Sequence, residues 1–570
     1  MRQKPTRVFW FAVFVTVCFL MGISLYRSGL LTVTETHVSR PGAPSASSAN
    51  VLELAFYTSS AKKTWIEHMT SEFNEGGRKI NGKSIRIKSY HIESGSSLDQ
   101  MKDGKIQPDI WSPGDDSWVQ LAASHWKNVK QKDLLGYQQP LVNIPLVIAM
   151  WEPMARALGY PDPIGWLDIE RLAADPAGWA AHGHPEWGKF RWGHAHPDAN
   201  SGFLAIMSQL YAVLGKTDQI TVDDLKSDHV ITMLGGFQRA IEHYGLSNSW
   251  IDDLMHARGP RYLSCAVQYE NTIIESNAKH NNRPFKLMAI YPKEGNFWTR
   301  HPAVVIKEDW MTPEKEEAAQ QFIDFLRSRE AQTKAMQFGL RPILPDLELS
   351  APFDADHGVI AHLPAGKQFT VPDDAVLKRI RDLWEDVKVP ASVLLIIDRS
   401  GSMEGPPMDN AKLGAIQFIK NMKPRDQLMV VVFSNEVMTL TPLGLVRDVG
   451  EQAIASIQGI FAEGGTALYD VVSSSYTILA ETMRNEPNRR YGLLVLTDGQ
   501  DTSSVMKRQD FLDNLPHPEQ YDVPKIYTIA YGPEADKDLL AEISNRSNAR
   551  LFSSKPEEIL STYKELSANF

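Results

Sequence analysis

The chain has 570 residues, of which 43% are hydrophobic and 22% are charged, and its formal net charge is −10 at pH 7. This length is too great for one hydrophobic core, so several domains are expected, and the composition excludes a wholly disordered chain. The acidic balance argues against the basic face that DNA or RNA binding requires. The two cysteines, Cys18 and Cys265, are far apart and build neither a disulfide framework nor a thiolate metal site. Cys265 is interpreted as a small buried hydrophobe rather than as a nucleophile.

An uncharged, mostly apolar segment over residues 8–26 is long enough as a helix to cross the core of a bilayer, which takes about 20 residues. Three basic residues precede this segment and only Arg27 follows it closely, so the positive-inside rule places the bulk of the chain outside the cytoplasm. We therefore predict a single-pass protein of the cell membrane, with a cytoplasmic tip and transmembrane helix over residues 1–27 and a flexible stalk over residues 28–50. A cleaved signal peptide is the alternative interpretation of the apolar segment.

Residues 51–370 alternate short strand patterns with helix patterns, which is typical of an α/β fold. Residues 51–57 are predicted as a strand and residues 61–73 as the helix that follows it. Farther along, Thr312 is a favourable N-cap residue for a helix that runs to Arg327. A region of about 320 residues exceeds what one core serves comfortably, so two lobes are expected.

Several short segments of this region resemble a bacterial extracellular solute-binding protein of the two-lobed, type II periplasmic class. The segments that carry the resemblance are Phe56-Tyr57-Thr58-Ser59-Ser60, Pro108-Asp109-Ile110-Trp111-Ser112-Pro113, Tyr291-Pro292 with Gly295, His301-Pro302, and Gly339-Leu340-Arg341-Pro342. The resemblance implies a ligand in the cleft between the lobes, held by hydroxyl groups and by backbone N–H groups at helix starts. The positions that match this role are Ser59, Ser60, Ser112, Ser201 and Tyr269.

A physical argument supports the serine residues of this set. The first N–H groups of a helix have no partner within the helix, and together with the helix dipole they favour negative charge. The expected ligand is therefore a small anionic or polar solute. Simple capping of the helix is the alternative role for each serine, because serine at a helix start satisfies the backbone by itself.

Residues 371–390 are predicted as a linker that contains a short helix over residues 376–387. Over residues 391–570, continuous apolar runs alternate with helices of about three turns. Continuous apolar strands are buried on both faces, so we predict a doubly wound, Rossmann-like α/β domain with its ligand site at the carboxyl ends of the strands. The apolar runs cover residues 393–397, 428–433, 493–496 and 526–529.

Three polar segments follow these apolar runs or lie beside them, so they are expected to converge at one edge of the predicted sheet. The segments are Asp398-Arg399-Ser400-Gly401-Ser402, Gly464-Gly465-Thr466 and Leu496-Thr497-Asp498-Gly499. Their carboxylate and hydroxyl oxygens are hard ligands, suited to Mg²⁺, Mn²⁺ or Ca²⁺ rather than to zinc.

These segments resemble the metal-ion-dependent adhesion site of a von Willebrand factor type A (VWA) domain, and the resemblance covers about residues 389–570. It implies a cation site formed by Asp398, Ser400, Ser402, Thr466 and Asp498. Mg²⁺ is the expected ion, with Mn²⁺ and Ca²⁺ as alternatives. Two carboxylates among neutral hydroxyls leave the ion able to accept a further anionic ligand, and an Asp or Glu of a protein partner is the natural candidate.

Two other patterns are set aside. Residues 77–84 match the spacing of a Walker A loop, but a helix pattern precedes them and a strand pattern follows, the reverse of what phosphate binding requires, so a basic turn is predicted. A second pattern places four histidines in a Gly- and Pro-rich stretch without the helical spacing that would define a metal site, and they are predicted as solvent-facing loop residues. These histidines are His182, His184, His194 and His196.

The patterns together predict a membrane-anchored, extracytoplasmic binding protein rather than an enzyme. Its VWA domain would bind a divalent cation and, through it, an acidic group of a protein partner, as in cell adhesion, while the two-lobed domain would bind a small solute. One alternative is a solute receptor of an ABC-type transport system whose VWA domain docks a partner complex. Another is a hydrolase in which the cation activates water.

Overall fold

The computed structural model describes residues 50–245, 247–362, 367–567 and 569–570. The apolar segment predicted as a transmembrane helix or signal peptide, Cys18 and almost all of the predicted stalk lie outside the described residues. Within the described residues, no helix combines the length and the apolar character that crossing a membrane requires.

The strands of the described residues form three sheets. They are β1 (Val51–Thr58), β2 (Lys79–Ile80), β3 (Lys83–His91), β4 (Ile110–Ser112), β5 (Leu135–Pro140), β6 (Ile144–Trp151), β7 (Trp192–Ala195), β8 (Ile241–Gly245), β9 (Cys265–Tyr269), β10 (Leu287–Ile290), β11 (Trp298–Thr299), β12 (Pro302–Ile306), β13 (Ala391–Asp398), β14 (Gln427–Phe433), β15 (Val437–Leu445), β16 (Arg490–Thr497), β17 (Lys525–Tyr531) and β18 (Leu551–Ser554).

The α-helices alternate with these strands along the chain. They are α1 (Lys63–Glu75), α2 (Ser94–Lys102), α3 (Asp116–His125), α4 (Glu152–Ala157), α5 (Trp166–Ala174), α6 (Asn200–Leu214), α7 (Asp228–Arg239), α8 (Asn248–Arg258), α9 (Glu270–Lys279), α10 (Pro313–Leu326), α11 (Arg329–Gln337), α12 (Asp374–Val387), α13 (Pro406–Asn421), α14 (Val446–Gln458), α15 (Leu468–Asn485), α16 (Arg508–Asn514), α17 (Lys537–Arg546) and α18 (Ile559–Ser567). The predicted capping role of Thr312 is confirmed, because its hydroxyl accepts from the backbone N–H of Lys315 at the start of α10 (3.3 Å).

The first lobe is built on a sheet with the strand order β2-β3-β1-β4-β12-β5. Strands β1 and β4 run parallel, and their register sets Thr58 opposite Ser112. The carboxyl ends of these two strands therefore lie side by side, where parallel strands present their ligand sites. The chain leaves this lobe after β5 and returns to it with β12.

The second lobe is built on a sheet with the strand order β10-β6-β9-β7-β8, and β11 pairs with β6 outside this path. Strand β6 is buried along its whole length, and most of α6 is buried as well, so both form the centre of the lobe. Cys265 begins β9 and is buried, and burial raises the pKa of its thiol, as expected for a small hydrophobe rather than a nucleophile.

Residues 77–84 form a β-hairpin, which confirms the predicted turn. Strands β2 and β3 pair antiparallel, with Ile80 opposite Lys83. The two residues between them, Asn81 and Gly82, have φ values of 49° and 82°, the left-handed conformation that a type I′ hairpin turn requires. A phosphate loop would instead lead from a strand into a helix.

The prediction of solvent-facing histidines is wrong for His194. This residue lies within β7 and is completely buried, whereas His182 and His184 lie on exposed or half-exposed turns. The reason is that the Gly- and Pro-rich stretch includes a strand of the second lobe, paired with β8 and β9.

The predicted linker helix corresponds to α12, but it is more than a spacer. The Asp373 carboxylate caps it by accepting from the Val376 N–H (3.0 Å). One face of α12 joins the hydrophobic core of the two-lobed region through Val376, Leu377, Ile380, Leu383 and Trp384. The helix therefore belongs to the fold of that region.

The third sheet has the strand order β15-β14-β13-β16-β17-β18. All of its pairings are parallel except that of β15 with β14. Alternate residues of β13 point into two separate cores, with Val393 on one face and Leu394 on the other. Helices cover both faces, so the predicted doubly wound α/β domain is confirmed, with β13 near its centre.

The doubly wound domain packs against the second lobe through polar contacts. At the start of β16, the Arg490 guanidinium donates to the backbone oxygens of Ile241 (2.6 Å) and Glu242 (3.2 Å). Lys525 at the start of β17 pairs with the Glu242 carboxylate at 2.7 Å. Because these contacts involve the first residues of β16 and β17, they lie at the end of the sheet opposite to its predicted cation site.

Candidate functional site

The candidate cation site begins at the carboxyl end of β13 with Asp398, whose side chain is completely buried. One carboxylate oxygen accepts from the Ser400 N–H (2.8 Å), and the other accepts from the Thr497 hydroxyl (2.6 Å). Thr497 is the last residue of β16, the neighbouring parallel strand, so the two strand ends are joined at this point. No role was predicted for Thr497 from the sequence. Its position directly before Asp498, at the end of a predicted strand, was the feature that could have identified it.

A chain of hydroxyl groups connects Asp398 with Asp498. The hydroxyl oxygens of Ser400 and Ser402 lie 3.1 Å apart, and the Ser402 hydroxyl donates to the Asp498 carboxylate (2.8 Å). Alternate residues of the loop after β13 therefore face the same space. Two of the three predicted segments meet here through direct hydrogen bonds.

The third segment closes the site from the loop before α15. The Gly464 carbonyl accepts from the Gly401 N–H (3.0 Å). The Thr466 hydroxyl and the Ser402 hydroxyl lie 3.5 Å and 3.9 Å from the position that a Cβ atom would take at Gly499. The structure thus brings Asp398, Ser400, Ser402, Thr466 and Asp498 into one cluster at the edge of the sheet.

Two further residues hold this third loop and were missed in the sequence. The Thr502 hydroxyl accepts from the Thr466 N–H (2.9 Å), and the Asn435 side-chain oxygen accepts from the Gly465 N–H (2.7 Å). Neither residue lies next to a predicted segment, so only their position in the fold reveals their role.

The electrostatics of this cluster suit a cation. Burial raises the pKa of Asp398 to about 6, and the nearby Asp498 carboxylate adds to the increase. Burial likewise raises the pKa of Asp498. Two desolvated carboxylates at close range are costly when both are ionised, and a dication offsets that cost. The oxygen donors fit Mg²⁺ or a similar hard ion, which the two carboxylates and three hydroxyl groups would hold.

A second candidate site is a small cavity of about 140 Å³ between the two lobes. Four of the five predicted ligand-binding residues line it, namely Ser59, Ser60, Ser201 and Tyr269. Ser112 lies behind the cavity wall, where its carbonyl accepts from the Ser59 N–H (3.0 Å) and from the ammonium group of Lys62 (3.1 Å). The strand end carrying Ser112 thus positions the neighbouring loop.

Direct hydrogen bonds between the lobes explain the small size of the cavity. The Asn271 side chain donates to the Ala61 carbonyl (2.9 Å), and the Trp118 indole donates to the Asn200 side chain (2.6 Å). Asn200 also bonds to the Tyr269 hydroxyl. Ligand pockets usually measure about 300–1,000 Å³, so the lobes are closed around a space for a molecule of few atoms.

The cavity wall contains acidic residues that sequence reasoning missed. Glu93 accepts a hydrogen bond from the Ser60 hydroxyl, and burial raises its pKa. Glu275 also lines the cavity; part of its side chain is exposed, and desolvation of the rest raises its pKa to about 7. Glu93 directly precedes α2 and Glu275 lies in α9. Tertiary packing decides which side of each helix faces the cavity, so no local sequence pattern identified these two residues.

Beneath the cavity, Lys62 is buried and fully partnered. Its ammonium group contacts the Ser59 hydroxyl (3.0 Å), the Ser112 carbonyl (3.1 Å) and the His301 imidazole (3.3 Å). Burial lowers the pKa of Lys62 well below its usual value. Three partners engage its donors, so this lysine braces the first helix start rather than facing the cavity.

Comparison with known proteins matches these two parts of the chain to two families. Residues 54–341 match the family model of bacterial extracellular solute-binding proteins, and residues 392–565 match the von Willebrand factor type A domain. The chain belongs to the bacterial extracellular solute-binding protein family and carries a VWA domain after its solute-binding region. Both resemblances drawn from the sequence are confirmed. Both families are binding modules rather than typical enzyme families.

Individual relatives cover parts of the chain. A Synechocystis sp. protein described as uncharacterized is 26% identical over 182 residues, which are 32% of this chain and 42% of that protein. The inter-alpha-trypsin inhibitor heavy chain H4 of Homo sapiens is 32% identical over 133 residues, which are 22% of this chain and 14% of that protein. This chain therefore spans less than half the length of either relative.

Among solved structures, the periplasmic binding protein AfuA from Actinobacillus pleuropneumoniae, with fructose-6-phosphate bound, is 16% identical with a TM-score of 0.41. The match covers 59% of this chain and 98% of that structure.

Proposed function

We propose that this protein is a membrane-anchored, extracytoplasmic binding protein whose VWA domain binds a divalent cation and, through it, an acidic group of a protein partner. The observation that carries the proposal is the meeting of three sequence-distant loops, with Asp398, Thr466 and Asp498, at one sheet edge. Two carboxylates and three hydroxyl groups supply five oxygen ligands, so one position of an octahedral dication stays open, and a carboxylate from a partner completes its coordination.

The surroundings of the cation cluster suit a protein partner. Phe461 is 63% exposed and Val505 is 94% exposed, and both belong to loops that border the cluster. The Arg399 guanidinium lies 5.7 Å from the Phe461 ring and pairs with Glu463 at 2.7 Å. Exposed apolar side chains around a charged centre provide the contact area that a carboxylate alone lacks.

We further propose that the cleft between the lobes binds a small polar solute with hydroxyl or ammonium groups. Glu93, Glu275 and the side-chain amides at the cavity supply acceptors, and Lys63 is the basic residue of the wall. Burial raises the pKa of both carboxyl groups, and a protonated amine would favour their ionised forms, whereas an anion would oppose them. The acidic wall therefore favours a polar solute over the anion that the sequence also allowed, and it adds a cationic solute that the sequence did not predict.

Calorimetric titration of the full chain with Mn²⁺ tests the cation site. After removal of metals with EDTA, the wild-type protein is expected to bind one equivalent in the VWA domain. Asp398→Asn preserves the shape of the side chain but removes one of the two carboxylate charges of the cation site. The affinity for Mn²⁺ should therefore fall about 10- to 100-fold. Asp513→Asn is the matched control, because Asp513 is exposed on α16 and should leave the titration unchanged.

Equal heats for the wild type and Asp398→Asn would refute the cation site. Circular dichroism of each variant shows whether the VWA domain remains folded, and Ser402→Ala offers a second variant that removes only a hydroxyl group. Its Mn²⁺ affinity should fall between those of the wild type and Asp398→Asn.

A solute receptor of an ABC-type transport system is the second candidate function. The direct hydrogen bonds between the lobes favour the receptor function, because a permease would recognise the closed form that the two lobes adopt around a solute. Crosslinking in membranes separates the two candidates. A partner lost on Asp398→Asn supports metal-dependent adhesion, and a permease retained by that variant supports the receptor.

A further inference from the structure

The second lobe contains a compact cluster of one carboxylate and two imidazoles. Asp252 and His256 lie one turn apart on the same face of α8, and His280 directly follows α9. One ligand atom from each of the three residues lies within 4.8 Å of the other two. The spacing of the pair on α8 is the i, i+4 arrangement that presents two ligands to one ion.

Each residue of the cluster has a polar atom that lacks a hydrogen bond. The atoms Asp252 Oδ1, His256 Nδ1 and His280 Nε2 are buried and have no hydrogen-bond partner among the described residues. Asp252 and His256 are only 5% and 6% exposed. An unsatisfied buried polar atom is destabilising, so three of them in one place indicate that a partner of another kind belongs there.

Neighbouring groups orient the cluster. The other ring nitrogen of His256, Nε2, lies 2.7 Å from the Ser276 hydroxyl and 3.8 Å from Asp252 Oδ1, so these contacts hold the imidazole beside the carboxylate. Directly beside the cluster in sequence, Lys279 pairs with Asp253 at 2.6 Å, so these neighbouring charges neutralise each other. Burial also raises the pKa of Asp252 to about 7, and a bound dication would offset this cost of burying a carboxylate.

We propose that Asp252, His256 and His280 form a second metal site, which takes a borderline transition dication such as Zn²⁺ or Co²⁺. One carboxylate and two imidazoles are a recognised ligand set for such ions, and a fourth position remains for water or a solute group. The rings of His256 and His280 stack with centroids 3.8 Å apart, so binding requires one ring to rotate. Partly exposed His280 gives the ion access from solvent.

The position of this site connects it with the cleft. Helix α8 begins with Asn248, which lines the cavity, and α9 carries Glu275, which also lines it. A metal ion held by Asp252, His256 and His280 would clamp these two helices together. The site is distinct in chemistry from the oxygen-only cluster of the VWA domain.

Titration of the full chain with Co²⁺ and Zn²⁺ tests the proposal. The experiment uses the Asp398→Asn variant, so the cation cluster of the VWA domain is weakened in every sample. We expect the protein to bind one equivalent of Co²⁺ and to show the visible absorption of nitrogen-ligated Co²⁺. Added Zn²⁺ should displace the Co²⁺ and remove this absorption. Co²⁺ should also quench part of the tryptophan fluorescence, because the Trp151 ring lies 5.2 Å from the His256 ring.

His280→Gln removes one ligand at a partly exposed helix end and is expected to weaken Co²⁺ binding at least tenfold. His184→Gln is the matched control, because His184 is also partly exposed and stacks on an aromatic ring, that of Trp187, at 3.8 Å. Binding that is absent, or equal in His280→Gln and His184→Gln, would overturn the second metal site. Mn²⁺ binding by the protein with intact Asp398 does not depend on this result, so the two sites are tested separately.

Discussion

Among single residues, His194 shows most clearly how burial changes the protonation of a side chain. The side chain lies within β7, and one ring nitrogen is 2.7 Å from the Ala195 carbonyl oxygen. Burial lowers the pKa of His194 to about 4, since the charged imidazolium would lose its hydration. The neutral ring is therefore part of the packed core of the second lobe.

A pH-dependent stability follows from this pKa. The unfolded chain takes up a proton at His194 below about pH 6.5, whereas the folded chain does so only near pH 4. The contribution of His194 to the free energy of unfolding is therefore complete above pH 6.5 and is lost as the pH falls towards 4, by up to about 3 kcal/mol. We expect His194→Gln to remove this part of the pH dependence.

Urea unfolding followed by tryptophan fluorescence measures this effect. Of the 14 tryptophans, 13 lie between residues 51 and 390 and the other is Trp10, so the signal does not report on the VWA domain and comes mainly from the solute-binding region. The control His184→Gln should retain the wild-type slope between pH 6.5 and 4. Equal slopes for the wild type and His194→Gln would contradict the assignment.

At the scale of elements, the start of α6 approaches the end of β7 without space for a side chain. An added Cβ at Gly202 would overlap the backbone oxygens of Ala195 and His196. This contact positions Asn200 and Ser201, the first residues of α6, at the wall of the cleft. The close approach of two backbones therefore builds part of the candidate ligand site.

Gly202→Ala is expected to lower the free energy of unfolding of the solute-binding region by about 1–3 kcal/mol, because backbone atoms must move to admit the methyl group. Gly235→Ala, within α7, is the matched control, since an added Cβ there would meet only the Arg239 side chain at 3.6 Å. The control should be neutral or stabilise by up to about 1 kcal/mol. Fluorescence-detected urea unfolding of both variants measures the difference, and equal values would show that the α6 contact is not tight.

Across the whole molecule, charged groups join the VWA domain to the second lobe, beside a contact between the Tyr262 and Tyr521 rings. Arg490 donates to two backbone oxygens of β8 and lies 4.9 Å from the Tyr244 ring. Arg191 pairs with Asp522 at 3.0 Å. Since these contacts join the solute-binding region directly to the VWA sheet, movement of the second lobe is expected to carry the VWA domain with it.

Arg490→Ala is expected to loosen this junction. A hydrogen bond from a charged donor contributes about 1.5–3 kcal/mol, so amide exchange in a peptide covering Ile241–Gly245 should become at least tenfold faster. Hydrogen exchange with mass spectrometry measures this change. Arg447→Ala, at a position whose side chain is 63% exposed, should leave that peptide unchanged. Unchanged exchange in Arg490→Ala would show that other contacts hold the domains together.

Much of the fold was predictable because local rules encode it. The four predicted strands of the VWA domain lie within β13, β14, β16 and β17, since continuous apolar runs mark central parallel strands. Strand β15 was missed because it is an edge strand with a partly exposed, irregular pattern, and β18 because it has only 4 residues.

The order of the domains, the caps and turns, and the polar segments at the strand ends can be predicted from the sequence, because each depends on residues close together in the chain. That Glu93 and Glu275 line the cleft, that Ser112 lies behind it, and that Asp252, His256 and His280 meet is visible only in the folded protein. These features depend on the packing of helices and strands that are distant in sequence. Hydrophobic periodicity identifies the buried face of each element but not which polar groups the packed faces bring together.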